Sequence, residues 1–171
     1  MQQLHWVKQG MQFYLKKGNE TLVELTLNLK GLSSFTLNSK QYVASRKGAW
    51  NPGYFIAEKG QAVLSLKYGF WGSKGNIAFS DGAMYTCNYK SKGGLKMRFF
   101  NGEEELMAYG LGFENKRPVL NFSIGATTQI TEKILLLAAL GLIAFYPLFM
   151  STAGGDDATF AAMLATTVAT T

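Results

Sequence analysis

Cysteine and histidine are almost missing from this 171-residue chain: Cys87 and His5 are the only ones. A single cysteine excludes an intrachain disulfide framework, and a single histidine leaves no cluster of soft metal ligands. No metal or cofactor is expected, and a reducing, cytoplasmic setting fits. The opening stretch MQQLHWVKQGMQF has isolated apolar residues but no run that would serve as the core of a signal peptide, so export by that route is not expected. The sequons at Asn19 and Asn121 then carry no meaning, since a chain that is not secreted never meets the glycosylation machinery.

Grouped catalytic residues are lacking too. His5 stands beside Trp6 with no acid or nucleophile near it in sequence, and reads as an aromatic-flanked residue at a strand entrance. Cys87 lies in the alternating AMYTCNYK, where a thiol ordinarily behaves as a small hydrophobe. Glu103, Glu104 and Glu105 follow an Asn101-Gly102 turn and read as a solvated hairpin tip, because a metal there would need further oxygen ligands. The glycine-rich stretches GFWGSKGN (69–76) and SKGGLK (91–96) match no phosphate-loop spacing and open no helix. They read as breaks between strands, and no enzymatic activity is expected.

Helical periodicity is absent before Thr131, and alternation with a period of two takes its place. In TLVELTLNLK, Val23, Leu25, Leu27 and Leu29 share one face while Glu24, Thr26, Asn28 and Lys30 share the other, which predicts a half-buried strand. Gly18, Gly60 and Gly102 are spaced 42 and 42 residues apart, each after an aromatic segment: MQFYL, GYFIA and KMRFF. A second strand follows each glycine (TLVELTLNL, AVLSLKYGF, ELMAYGLGF), then a third (SSFTL, NIAFS, VLNFS). Further turns follow at Asn38-Ser39, Asp81-Gly82 and, less clearly, Gly125, and each introduces a fourth strand: KQYVAS, AMYTCNYK and a weaker TTQITE. Three copies of a four-strand unit predict a mainly β protein of twelve antiparallel strands, and closure into a barrel removes the exposed edges.

Such a barrel has a backbone diameter on the order of 24 Å, so inward side chains cannot meet across it. A helix of about 10–12 Å with wall side chains around it comes close to filling the bore. The charge-free run ILLLAALGLIAFYPLFM, residues 134–150, supplies that helix, predicted over 132–150 with a kink or end at Pro147. The same run, extended to residue 153, is also long enough for a single-pass anchor, with Lys133 before it and Asp156-Asp157 after. Length and composition fit both readings. The domain covers 1–150, and the Ala/Thr-rich tail 151–171 is expected to be disordered or to form one short helix.

Three strand-turn-strand-strand-turn-strand modules with a C-terminal apolar helix resemble the tubby C-terminal-like superfamily, which includes tubby proteins, phospholipid scramblases and LURP-one-related proteins. The likeness covers roughly residues 5–150 and is clearest in small bacterial-type segments such as YFIAEKGQAVLSLKYGFWGSKGNIAFSDGAMY, 54–85. The resemblance implies a helix threaded through a twelve-stranded barrel. It also implies a lipid contact, because a Lys-x-Arg pair in tubby proteins binds phosphoinositide headgroups and Lys96-Met97-Arg98 is similar in form. The weak twelfth strand, Pro147 and the tail depart from the pattern.

All seventeen Lys and Arg lie in residues 1–133 against nine acidic residues, a net of +8. Such a body favours anionic partners. Lys96 and Arg98 share a strand face and, aligned on the repeat glycine, replace Gln12 and Tyr14 of the first copy and Tyr54 and Ile56 of the second. With Lys90 and Lys92 just before them, they are the candidate anion or lipid contact. Arg46-Lys47 with Trp50, and Lys116-Arg117, form two further basic loops. Nucleic acid is not expected, because the aromatic residues follow strand positions instead of interleaving with charge. The expected function is a non-enzymatic binding or scaffold module at the surface of an anionic membrane, with a tail-anchored protein using 134–153 as the alternative.

Overall fold

The computed structural model describes residues 3–48, 53–69, 73–90 and 92–153. The chain opens with β1 (Leu4–Gln9). The first copy follows as β2 (Gln12–Lys17), β3 (Glu20–Thr26), β4 (Ser33–Leu37) and β5 (Lys40–Lys47). The second is β6 (Gly53–Glu58), β7 (Gln61–Tyr68), β8 (Lys74–Phe79) and β9 (Met84–Lys90). The third holds only β10 (Lys96–Asn101), β11 (Glu104–Glu114) and β12 (Arg117–Ile124), and is followed by α1 (Glu132–Ala153). Each strand pairs antiparallel with the next, giving one twelve-stranded sheet in chain order that curls until β1 lies beside β12. No ladder joins β1 to β12 among the described residues, so the barrel is nearly closed.

The twelfth strand is not where the repeat put it. TTQITE forms no strand, because after Ile124 the chain leaves the sheet: the Gly125 amide and the Thr128 hydroxyl both donate to the Leu106 carbonyl, at 2.8 and 3.1 Å. β1 takes the vacant place. Trp6 opposes Leu15 as Ala44 opposes Ile56 and Cys87 opposes Phe99, so β1 stands in the register of a fourth strand although it comes first in the chain. Leu4 and Trp6, which read as isolated apolar residues, are its buried face.

The repeat also slips by one residue. Leu15 faces Val23, Ile56 faces Leu64 and Phe99 faces Met107, each beside a bulge, so equivalent places lie 41 and 43 residues apart instead of 42 and 42. The turn glycine causes the slip. Gly18 and Gly102 are the first residue of their turns, whereas Gly60 is the second, after Lys59, which itself adopts φ 49°. With a side-chain period of two, one residue exchanges the faces, so the place of Arg98 in the second copy is held by outward Phe55 and not by inward Ile56. Leu29 is a smaller correction. β3 ends at Thr26, Asn28 makes a side-chain turn onto the Lys30 amide (3.0 Å), and Leu29 emerges 46% exposed although Val23, Leu25 and Leu27 are buried.

α1 fills the bore. Thr131 caps it by accepting the Ile134 amide at 3.3 Å, and Leu136 to Leu140, Leu142, Phe145, Tyr146 and Phe149 are buried on all sides. The span Glu132–Thr152 is long and apolar enough to cross a membrane, and 78% of its most apolar 18 residues are buried. Each large side chain so buried contributes about 1.5–3 kcal/mol before the entropy of ordering it is counted. Tyr109, from the wall, accepts the Trp6 indole N–H at 2.8 Å and donates to the Ala138 carbonyl at 2.7 Å, tying β1, β11 and α1 together. Gly141 lets the helix pass this ring, because any Cβ there would overlap Tyr109. Pro147 neither kinks the helix to a stop nor ends it, since α1 continues to Ala153. The ring leaves the Ile143 carbonyl without its helical donor, and both residues border an open cleft of about 370 Å³ where that lost bond is least costly.

Candidate anion-binding surface

β9 and β10 run side by side with Lys90 directly opposite Lys96, followed across the sheet by Gly110 and Asn121. Lys92 lies two residues on, in the connection, where Gly93 (φ 78°) and Gly94 (φ 113°) reverse the chain. All three lysines are exposed, and none has a carboxylate partner among the described residues. Like charges directly opposed across a ladder destabilise it, so this pair calls for an outside anion. Beside it Ala108, Gly110 and Ser123 leave little side chain on the outer wall, opening a groove of about 390 Å³ with Lys96 on its lip.

Arg98 shares that face but is engaged elsewhere. Its Nη1 lies 3.4 Å from Glu105 Oε2, and its guanidinium sits 5.7 Å from the centre of the Phe100 ring. Three of the four residues read from the sequence thus form an open cationic cluster, and the fourth is held by an acid seven residues along, across the bulged β10–β11 hairpin.

The remaining candidates are placed as follows. Glu103 and Glu104 are exposed at the hairpin tip, with Glu104 accepting the Thr127 hydroxyl at 2.8 Å. Cys87 is fully buried, and burial pushes its thiol up to about 12, away from a reactive thiolate. His5 is the second residue of β1, and no group of three metal-ligating side chains occurs among the described residues. Lys47 lies 5.1 Å from the Phe55 ring, while Trp50, and residues 70–72 and 91 of the glycine-rich stretches, lie outside the described residues. Lys116 and Arg117 are exposed at the β11–β12 turn, which Asn115 (φ 50°) and Lys116 (φ 64°) close.

Topology sorts these charges by barrel end, apart from Arg98 and Glu24 in mid-strand. At one end, here the hairpin end, lie the β2–β3, β4–β5, β6–β7, β8–β9 and β10–β11 turns and the start of α1. It carries Lys16, Lys17, Lys40, Lys59 and Lys133 against seven carboxylates from Glu20 to Glu132. Asp81 pairs with Lys133, which holds its carboxyl below the usual range, and Lys40 pairs with Glu132 at 3.3 Å. Tyr42 donates to the same Glu132 oxygen at 3.1 Å, and burial, with that hydrogen bond, pushes its phenol up to about 12. The opposite, loop end carries eleven of the seventeen basic residues: one on each of β1 and the β3–β4 connection, two on each of β5, β7–β8 and β11–β12, and three on β9–β10. Glu114 is the only carboxylate there among the described residues.

No family model, curated protein or solved structure matches the chain. The molecule is a mainly β, twelve-stranded, nearly closed antiparallel barrel around a buried C-terminal helix. Lys90, Lys92 and Lys96 are exposed on its outer surface. Register brought the first and last of these face to face, and no linear signal marked that pairing.

Proposed function

We propose that this chain is a non-enzymatic binding module that holds anionic phospholipid headgroups at the cytoplasmic surface of a membrane, with Lys90, Lys92 and Lys96 as its contacts. The observation that carries this reading is the opposed, acid-free pair Lys90 and Lys96 beside an open groove. A phosphate between two ammonium groups relieves their repulsion and gains charge-assisted hydrogen bonds. The tubby-like resemblance supports the reading, because a barrel wrapped on a C-terminal helix is the architecture it implies and a Lys-x-Arg pair is its lipid contact. Arg98 takes part only after releasing Glu105, and so contributes less.

Co-sedimentation with phosphatidylcholine vesicles, with and without phosphoinositide, tests this. Binding should require the anionic lipid, and Lys90→Ala/Lys96→Ala should weaken it about 30-fold, from about 1 kcal/mol per lysine near such a surface. Arg98→Ala should weaken it less. Equal binding to neutral vesicles, or an unchanged double variant, defeats the proposal.

The helix, with a mean hydropathy of 2.3, also keeps the tail-anchored reading in play. Withdrawing it into lipid would empty the bore and strip the buried Tyr109 hydroxyl of its acceptor, the Ala138 carbonyl. Full-length protein that stays soluble without detergent supports the plug, and a requirement for detergent supports the anchor.

A further inference from the structure

We infer that the whole loop end of the barrel is a docking face that meets an anionic bilayer end-on, with Leu32 and Phe113 entering the headgroup layer. This rests on the phospholipid reading above and extends it from one wall of the barrel to its rim. The cations of the loop end are not gathered on one strand pair: Lys47, Lys96 and Arg117 stand at the ends of β5, β10 and β12, around the circumference. A ring of charge around one end of the barrel matches a plane, which can touch every loop at that end at once. Exposed apolar side chains stand among these cations: Leu32 is 62% exposed on the β3–β4 connection, and Phe113 is 68% exposed beside the β11–β12 turn. Cations around partly inserted apolar residues make up an interfacial membrane contact, in which electrostatic attraction and apolar burial add.

A nucleic acid fits this surface less well. Leu32 offers no ring for a base to stack on, and a linear polyanion would cross only part of the ring. The hairpin end opposes binding in the other orientation, because its carboxylates outnumber its cations. The charge distribution therefore sets a direction as well as an affinity.

The test places a polarity-sensitive dye on Phe113→Cys or, at the opposite end, on Met84→Cys, which replaces a side chain 59% exposed. Cys87 is buried with its thiol pushed up, so the folded full chain labels only at the new cysteine. Phosphatidylserine-rich vesicles should shift the emission of the dye at 113 to the blue and leave that at 84 unchanged, and phosphatidylcholine alone should shift neither. In parallel, Lys47→Glu/Arg117→Glu should weaken sedimentation at least about tenfold with Lys90 and Lys96 intact, while Lys17→Glu/Lys59→Glu should not. Sedimentation without a shift at 113, or with an equal shift at 84, overturns end-on docking and leaves the Lys90–Lys96 contact standing. No sedimentation on any anionic vesicle overturns both, and retention of a DNA or RNA oligonucleotide in its place assigns the rim to nucleic acid.

Discussion

At the hairpin end, four of five turns close in two residues, the three groups that hold the start of α1 come from β4–β5 and β8–β9, and charge is mixed and paired. At the loop end, four of six connections run to five or six residues, eleven cations face one carboxylate, and Lys90, Lys92 and Lys96 pair with no carboxylate among the described residues. The same strands supply both ends. Antiparallel order sends every second connection to the same side, so a repeat that places acids after one kind of turn and bases after the other builds an electrically polar barrel. On the reading proposed above, folding and recognition are separated in space: one end locks the helix, and the other carries the excess of cations.

The largest expected effect strikes what both ends share. Gly141→Val pushes a side chain into Tyr109, displaces its bonds to Trp6 and Ala138, and should cost about 3 kcal/mol or more by chemical denaturation. Stability unchanged by this substitution would mean that the helix does not pass Tyr109 as described. Next comes the asymmetry itself. Lys90→Glu/Lys96→Glu should abolish binding to anionic vesicles without lowering the melting temperature, because the native pair is repulsive, whereas Lys16→Glu/Lys17→Glu should leave binding intact. Equal losses from the two variants would erase the distinction between the ends.

The smallest effect is the pH response of the helix clamp. The folded carboxyl of Asp81 lies below its ordinary value, so its contribution is present above that ordinary value and is lost as pH falls through the folded one. Tyr42 behaves in the opposite sense. Its phenol is raised to about 12, so its contribution is complete below pH 10 and is lost as pH rises from there towards about 12. Amide protection factors at the start of α1, corrected for the intrinsic pH dependence of exchange, should therefore fall at both extremes, and Asp81→Asn should remove the acid limb alone. A wild-type acid limb that persists in Asp81→Asn would place the clamp elsewhere.

Much of this fold was legible. Alternation over Val23, Leu25 and Leu27 marked β3, the positive-φ turns marked the hairpins, and a bore too wide for its own side chains called for the apolar helix. What failed was whatever depends on counting across copies. The one-residue change in the place of Gly60 is silent in the glycine spacing but turns Phe55 outward. β1 was hidden because its buried apolar residues, Leu4 and Trp6, are only two, and β12, beside which it lies, is over a hundred residues away. Lys96 and Arg98 were found as neighbours, yet Lys90 opposite one and Glu105 beside the other follow from register and a bulge, which local patterns do not encode. The polarity of the barrel was hidden for the same reason: along the chain the acids and bases alternate, and only folding collects them.

The Trp6–Tyr109–Ala138 bridge also has a meaning in time. Its members are separated by 103 and 29 residues, and the helix that supplies the last of them follows every strand among the described residues. Contacts so distant in sequence make for slow folding. Until α1 has been synthesised, the wall surrounds nothing, and its greasy inner face is open to any other chain nearby. The most vulnerable moment of this protein therefore falls late in its synthesis, when eleven or twelve strands exist and the helix does not.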